Sequence, residues 1–383
     1  MVHFIHTADW QIGRQYGQFD ADDGALLAKA RLDTVARIAA LATQRQVDAV
    51  LVAGDVFDTQ GVADRTIRRL FAAMAGYAGP WIMIAGNHDA ALADSVWTRA
   101  RALGCMGSNI FVPDVAGTVP IAQNKAVVLC APLTQRHTYD DVTTCFDSIQ
   151  SAEGVRRIGL AHGSVTGRLP DTIDASNPIA PDRASRAQLD YLALGDWHGM
   201  MQVDARTWYA GTPEPDRFRN NDAGRVLEVQ LDAPGAVPQV TPHIVGEYVW
   251  RQHDVRLDLR TDVDTLLHTL AQVRPADVIK LNLSGTVSLA EWDRLEAGID
   301  RALAIVCAMR VDTDDLVLHP DADDLAEVGA DGYVGAVAEA LRALQQDAHA
   351  PQDAQVAREA LRLLLQYQRE ATLSAAQDGD ARR

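Results

Sequence analysis

Residues 49–58 decide the fold, and they read AVLVAGDVFD. An apolar run typical of a buried strand is followed at once by the acidic residues Asp55 and Asp58. Four further apolar stretches end in short polar runs: HTADWQ at 6–11, GNHD at 86–89, AHG at 161–163 and GDWH at 195–198. Because ligands collect beyond the carboxyl ends of strands in an open α/β sheet, the five runs predict one shared site.

The side chains in these runs are carboxylates, amides and imidazoles, which are the usual metal ligands. Two divalent metals about 3.5–4 Å apart cleave phosphate esters by activating water and stabilising the phosphoryl oxygens. Such a pair needs a bridging carboxylate, for which Asp55 is the best candidate, while His88 could protonate a leaving alkoxide. The predicted ligands are Asp9, Gln11, Asp55, Asn87, His162, Asp196 and His198.

Each run taken alone has a simpler explanation. Asp9 could be a turn residue or a helix cap, His162 a structural histidine, and residues 86–89 a turn. All five runs occur in order at the ends of predicted strands, and this joint occurrence favours the two-metal site.

The length and composition indicate a globular protein with two domains. The chain has 383 residues, 48% of them apolar, and no stretch approaches the roughly 20 uncharged apolar residues that span a bilayer. The N-terminus begins in a strand pattern without a signal peptide, so we expect a cytoplasmic protein that has no membrane partner. The four cysteines are scattered, which predicts free thiols.

The net charge of −17 bears on the choice of substrate. Proteins that bind nucleic acid unaided usually carry a basic excess or a basic stripe. Here only small basic groups occur, such as Arg65, Arg68 and Arg69. If DNA is the substrate, a partner should supply much of the binding energy.

Hydrophobic periodicity predicts the elements of the first domain. Helices over 25–41 and 64–78 alternate with strands, which implies a largely parallel sheet. Further strands are predicted at 126–130, 158–160 and 191–194, and the segments 207–209 and 225–229 should extend a second sheet.

A smaller α/β unit follows over 248–313, where strand and helix patterns alternate. Residues 288–291 form a capping box that predicts the start of a helix. Two more helices are predicted at 333–345 and 352–372. The apolar surface of the last helix, over 356–367, either packs on its own domain or binds a partner.

The chain resembles the calcineurin-like metallophosphoesterases, and within them the SbcD-type nuclease subunits of SbcCD complexes. The resemblance rests on IHTADW at 5–10, GDVFDT at 54–59, GNHD at 86–89 and YAGTPE at 209–214. It implies a two-sheet αββα sandwich over 1–246, a cap domain of the DNA-binding type over 247–315, and an acidic helical region over 316–383. That last region is a candidate for binding the ATPase partner.

The resemblance also implies roles for the predicted site residues. One metal would take Asp9, Gln11, Asp55 and His198, and the other would take Asp55, Asn87, His162 and Asp196. His88 would be the catalytic histidine, and Asp58 would orient His88 or a ligand.

Two positions depart from the family pattern, which usually has His where Gln11 and Asp196 stand. Two nitrogen ligands are thereby exchanged for oxygen ligands, and one negative charge is added. We therefore expect two divalent ions of Mn²⁺ or Mg²⁺ rather than Zn²⁺. The same departures leave open a degenerate, inactive site.

The leading hypothesis is a Mn²⁺/Mg²⁺-dependent DNA nuclease, an exonuclease with some endonuclease activity on ends or hairpins. The resemblance implies a homodimer that works with an SbcC-type coiled-coil ATPase. A small-nucleotide phosphodiesterase or phosphatase is the alternative, and it fits the negative charge better. A third possibility is a structural subunit with weakened catalysis.

Overall fold

The computed structural model describes residues 1–168, 176–319, 332–345 and 351–380. The chain forms two compact units, Met1–Val249 and Trp250–Arg383. The division into domains at 246 and 315 stays a prediction, and parts of the predicted C-terminal region lie outside the described residues. None of the described helices combines the length and the apolar character required to cross a membrane.

The described residues of the first unit form fourteen strands and four α-helices. In chain order the strands are β1 (Val2–Thr7), β2 (Ala49–Val52), β3 (Trp81–Met83), β4 (Ile110–Phe111), β5 (Gly117–Ile121), β6 (Ala126–Ala131), β7 (Arg156–His162), β8 (Ser164–Val165), β9 (Pro178–Ile179), β10 (Tyr191–Gly195), β11 (Met201–Gln202), β12 (Thr207–Tyr209), β13 (Arg225–Leu231) and β14 (Gln239–Ile244). The helices are α1 (Ala21–Arg45), α2 (Asp64–Met74), α3 (Val96–Ala102) and α4 (Arg183–Arg186).

Two six-stranded sheets form the centre of this unit, in the orders β14-β13-β1-β2-β3-β4 and β11-β12-β10-β7-β6-β5. Apolar side chains from both sheets share one buried core. Helices α1, α2 and α3 cover the outer face of the first sheet, and α4 with a 3₁₀ segment covers that of the second. The predicted αββα sandwich is confirmed, and β1 to β4 are parallel as expected.

One strand lies in a different sheet from the one predicted. The segment 225–229 was expected to extend the second sheet, but β13 pairs antiparallel with β1 in the first, Val2 opposite Leu231. Alternation of apolar residues indicates which face of a strand is buried, but it does not indicate which strand is its neighbour.

Both long helices of the first sheet differ in length from the prediction. Helix α1 extends beyond 25–41 at both ends and stops where Gln46 adopts a left-handed conformation, φ 52°. Helix α2 ends at Met74, four residues before the predicted end at 78. Its buried side chains are the predicted apolar face, Ile67, Leu70, Phe71 and Met74.

The second unit contains a three-stranded sheet, β15 (Val249–Leu257), β16 (Asp277–Val287) and β17 (Ala308–Leu318). Helices α5 (Arg260–Leu270) and α6 (Leu289–Leu303) bury their apolar faces against it. The capping box at the start of α6 forms as predicted, because Ser288 Oγ accepts from Glu291 N at 3.3 Å and the Glu291 carboxylate accepts from Ser288 N at 2.9 Å.

The last two helices are α7 (Tyr333–Gln345) and α8 (Pro351–Asp380). Leu361 and Leu365 of α8 are fully buried in one cluster with Leu289 and Leu318 of the same unit. Part of the apolar surface that could bind a partner is therefore covered by the chain itself. Val356 and Tyr367 of α8 remain exposed.

Candidate metal centre

Five strands, β1, β2, β3, β7 and β10, deliver the candidate ligands to one place. β1 and β2 are neighbours in the first sheet, and their last residues, Thr7 and Val52, lie in register. β7 and β10 are neighbours in the second sheet, where Gly195 lies opposite His162. The polar residues that follow these strands meet at the carboxyl ends of both sheets, where α/β folds commonly bind ligands.

The backbone turns sharply at the candidate ligands. Asp9, Gln11, Asp55 and Asp196 all have positive φ angles, of 54°, 48°, 53° and 104°. Such conformations cost of order 1–3 kcal/mol each for residues other than glycine, and they concentrate at functional sites. The residues at these turns lie close together, since Gln11 Nε2 donates to Asp55 Oδ2 at 2.8 Å and Asp196 N donates to Asp9 Oδ1 at 3.1 Å.

Asp9, Asp55 and His162 form the centre of the site. All three are buried, and they offer one ligand atom each within 4.8 Å of one another, a group that could hold a metal ion. Asp55 Oδ1 lies 3.6 Å from His162 Nε2, and Asp196 Oδ1 lies 3.8 Å from the same nitrogen. Asn87 Oδ1 is 3.0 Å from it.

The charges of this cluster are not balanced by the protein. The pKa of Asp9 is raised to about 6, chiefly by burial; His198 and His162 lower it, and the charges of Asp55 and Asp196 raise it. Burial lowers the pKa of His162, but the surrounding carboxylates outweigh burial and bring it to about 9. Buried carboxylates without a compensating cation take up protons instead, so the site is one that a divalent cation would stabilise.

An unsatisfied oxygen provides a direct test of whether the residues fit a metal. Gln11 Nε2 donates to Asp55 Oδ2 at 2.8 Å, and this fixes the amide. Gln11 Oε1 is buried and has no hydrogen-bond partner among the described residues. Leaving a buried oxygen unpaired costs about 1–3 kcal/mol, a cost that a cation bound to it removes.

The nitrogen and amide groups on the other side of the site fit a cation as well. His162 Nδ1 donates to the carbonyl of Ala53 at 2.8 Å, so Nε2 carries the lone pair of the neutral ring. The side-chain oxygen of Asn87 faces His162 Nε2 and the Asp55 carboxylate. If the Asn87 amide is turned over, its nitrogen faces them instead and donates to both Asp55 oxygens at 3.0 and 3.1 Å. A bound cation favours the oxygen-inward orientation, because every atom then facing it is an electron donor.

His88 lies at the edge of this cluster, with its side chain 33% exposed. Its main-chain N donates to Asp55 Oδ1 at 2.9 Å, and its Nε2 lies 3.9 Å from Asp55 Oδ2. Its Nδ1 donates at 2.7 Å to the main-chain carbonyl of Asp58. The Asp58 carboxylate points elsewhere, 3.4 Å from Arg14 Nη1, so Asp58 contacts His88 through its backbone.

His198 is held by a carboxylate that the sequence analysis did not identify. His198 Nδ1 donates to Asp216 Oδ2 at 3.1 Å, which leaves Nε2 free to bind a metal. Burial opposes ionisation of Asp216, but His198, Arg31 and Arg217 together hold its pKa well below the ordinary value. Asp216 is separated from His198 by 18 residues, and nothing in its local sequence marks it.

Asp89 is a second unpredicted supporting residue, although the GNHD run contains it. Its buried carboxylate accepts from the main-chain N of Gly86 at 2.7 Å, of Val56 at 2.9 Å and of Phe57 at 3.1 Å. These bonds join the loop that carries Asp55 to the loop that carries Asn87. Burial and the Asp55 charge raise the pKa of Asp89 to about 7 despite them.

Comparison with known proteins agrees with this geometry. The calcineurin-like phosphoesterase family matches residues 2–218, more than half of the chain. The chain belongs to the calcineurin-like phosphoesterases. Members of this family use divalent metals, in accord with the cluster of Asp9, Asp55 and His162.

Two curated relatives of this phosphoesterase are each named as the D subunit of the nuclease SbcCD. The one from Rhodobacter capsulatus is 39% identical over 267 residues, covering 56% of this chain and 62% of the relative. The one from Bacillus subtilis is 28% identical over 92 residues, covering 23% and 22%. The chain therefore spans less than two thirds of the length of either relative. A solved structure, TT1561 of Thermus thermophilus, aligns with a TM-score of 0.41 and 10% identity over 64% of this chain and 99% of that one.

Gly86→Ala should weaken metal binding by this phosphoesterase. A Cβ at Gly86 would lie 2.3 Å from Asp55 Oδ1 and 2.5 Å from Asp55 N, so the carboxylate must move. We expect Mn²⁺ affinity, measured by calorimetry, to fall roughly tenfold or more. Gly61→Ala is the matched control, since its Cβ would meet nothing closer than 4.0 Å. Equal affinities of the two variants would contradict the geometry.

Stabilisation by Mn²⁺ should increase with pH. The raised pKa values of Asp9, about 6, and His162, about 9, stabilise the metal-free fold at low pH, and this contribution is lost as the pH rises through each value. A metal that replaces these protons should therefore raise the unfolding temperature more at about pH 8 than at about pH 5.5. Thermal unfolding with and without Mn²⁺ measures this, with Asp55→Asn as the control. A shift that is constant or larger at low pH would contradict it.

Proposed function

We propose that the chain hydrolyses phosphodiester bonds in DNA as the nuclease subunit of an SbcCD-type complex. The observation that carries the proposal is the buried cluster of Asp9, Asp55 and His162, with the partly exposed His88 at its edge. The two curated relatives, both named as the D subunit of the nuclease SbcCD, support the choice of DNA as substrate.

The proposed ligands fall into two sets that share Asp55. Asp9, Gln11 and His198 would complete one set, and Asn87, His162 and Asp196 the other. Two divalent ions held there would activate water and stabilise charge on the phosphoryl oxygens. The oxygen-rich donor set favours Mn²⁺ or Mg²⁺.

His88 is proposed to act on the leaving group. The Asp58 carbonyl accepts from His88 Nδ1, so the ring is fixed and Nε2 faces the cluster. A proton held on Nε2 can be donated to the alkoxide that leaves when the phosphodiester bond breaks. In this proposal Asp58 positions His88 through its main chain, while its carboxylate holds Arg14.

Binding of DNA would depend partly on other chains. The net charge of −17 makes unaided binding of a long polyanion weak, and an SbcC-type coiled-coil ATPase would supply further contacts. A homodimer, a cytoplasmic location and activity on ends or hairpins belong to the same proposal. Val356 and Tyr367 are large apolar residues of α8 that are exposed among its described side chains, and a partner could contact them.

A small-nucleotide phosphodiesterase or phosphatase is the second candidate, and the negative net charge favours it, because no long polyanion has to be held. Hydrolysis of cyclic nucleotides but not of DNA would decide for it. Metal binding without hydrolysis of any phosphodiester would instead indicate a structural subunit.

Replacing Asp55 or His88 should separate metal binding from chemistry. Asp55→Asn should lose both Mn²⁺ binding and hydrolysis of linear double-stranded DNA, because Asp55 is the proposed shared ligand. His88→Ala should keep Mn²⁺ binding and lose about 10²–10⁴-fold in rate, the usual contribution of a general acid. Nucleotide release and calorimetry measure the two properties. His268→Ala, an exposed histidine of α5, is the control, and retained activity in His88→Ala would contradict its role.

The metal preference should follow the oxygen ligands. The wild-type chain should be more active with Mn²⁺ than with Zn²⁺, and the double variant Gln11→His/Asp196→His should bind Zn²⁺ about tenfold more tightly. Competition between the two metals, followed by calorimetry, measures this. Tight Zn²⁺ binding with maximal Zn²⁺-dependent activity in the wild type would refute it.

A further inference from the structure

We propose that Arg136, in a cavity beside His88, binds the phosphate that flanks the scissile phosphate in a DNA strand. The inference rests on the proposed nuclease function and makes Arg136 a specificity-determining residue for polynucleotides. No residue outside the metal cluster and His88 has so far been given a part in holding the substrate.

The cavity borders the candidate metal centre, since the proposed ligand Asn87 lines it. It has a volume of about 580 Å³, and Asn87, His88, Arg14 and Arg136 are among its lining residues. This volume suits a ligand of nucleotide size. A phosphodiester at the metal cluster therefore has room beside it for the next unit of its own strand.

Main-chain hydrogen bonds fix the segment 133–138, which carries Arg136, relative to the loop 85–91, which carries His88. Leu133 N donates to the carbonyl of Ala85 at 3.1 Å, and Ala91 N donates to the carbonyl of Leu133 at 2.8 Å. These bonds hold the start of the segment against residues 85–91, which include Asn87 and His88. Arg136 is consequently attached to the same framework as the proposed catalytic histidine.

Asn177 fixes the other end of the segment. Its side-chain oxygen accepts from Thr138 N at 2.8 Å, and its side-chain nitrogen donates to the carbonyl of Arg136 at 3.2 Å. Asn177 itself is buried, with a left-handed φ of 59°. A guanidinium on an anchored loop loses less entropy when it binds a phosphate than one on a free loop.

The two arginines of the cavity differ in how their charges are compensated. Arg14 Nη1 lies 3.4 Å from Asp58 and 3.5 Å from Asp216, so its charge is largely offset. No hydrogen bond or ion pair joins the Arg136 side chain to a residue that the structure describes. Among the described residues, the guanidinium of Arg136 therefore has no counter-charge, and its planar donors match the oxygens of a phosphate.

The same loop offers a place for a base. Tyr139 is 92% exposed and lies three residues after Arg136. Exposed aromatic rings next to basic side chains bind single strands by stacking, with little sequence preference. A phosphate contact, with an exposed aromatic ring on the same loop, favours a polynucleotide over a cyclic mononucleotide, which has no flanking phosphate.

The test compares Arg136→Gln with wild type on two substrates. Affinity for a labelled oligonucleotide, measured by fluorescence anisotropy with Ca²⁺ in place of Mn²⁺, should fall roughly tenfold to a hundredfold. The slope of log affinity against log salt should decrease by about 1. Hydrolysis of bis(p-nitrophenyl) phosphate, which has one phosphodiester and no flanking phosphate, should keep its kcat/KM. Arg136→Lys should recover part of the affinity, and Arg186→Gln, on an exposed arginine of α4, should have no effect.

Unchanged oligonucleotide affinity and salt slope in Arg136→Gln would overturn the inference. An equal loss on both substrates would also overturn it, because Arg136 would then act at the reacting phosphate itself. If the wild type hydrolyses neither substrate, the nuclease proposal fails, while the binding measurement still decides whether Arg136 contacts a flanking phosphate.

Discussion

The clustered carboxylates of Asp9 and Asp55, which are buried, and of the partly buried Asp196 are the constraint on which the rest of the first unit depends. These three acidic groups repel each other, and the nearby His162 and His198 offset them only in part. Their burial is tolerable only with protons or cations, since the transfer of an unpaired charge from water costs far more than one hydrogen bond returns. The fold brings these charges together against their repulsion, which indicates that the site is built for a cation.

The two sheets make this convergence possible because they pack face to face with their strand ends at one edge. Close approach of the loops then requires residues without a side chain. At Gly195 a Cβ would lie 2.1 Å from the carbonyl of Ala53, and at Gly54 it would lie 2.4 Å from His162 Nδ1. Each of the GD pairs at 54–55 and 195–196 therefore has a glycine that allows the two sheets to approach closely. The aspartate that follows it then lies in the candidate site.

The resemblance to a known family predicted the αββα sandwich, and the strand pattern predicted the grouping of the candidate ligands, because parallel strands place their carboxyl ends together. The sequence was not enough where the outcome depends on packing between distant segments. β13 pairs with the edge of β1 that β2 leaves open, and the local sequence of β13 does not indicate this partner. Asp216 reaches His198 across a turn, and Asp58 turns its carboxylate to Arg14. The role of Asp89 could have been predicted from the sequence, because Asp89 belongs to the GNHD run. An aspartate at such a turn often accepts hydrogen bonds from main-chain amides.

The substitution of Asp196 for the family's usual histidine changes how the substrate is attracted. Three carboxylates do not neutralise two divalent cations, so a loaded site keeps a positive charge, but a smaller one than a site with histidine at 196 would have. In a chain of net charge −17, that reduction weakens the local field that draws in a phosphodiester. In the proposed nuclease, the guanidinium of Arg136 in the cavity beside His88 would restore positive potential where a strand would enter, without adding a nitrogen ligand that favours zinc. In this proposal Asp196 lowers the positive potential at the site, and Arg136 raises it.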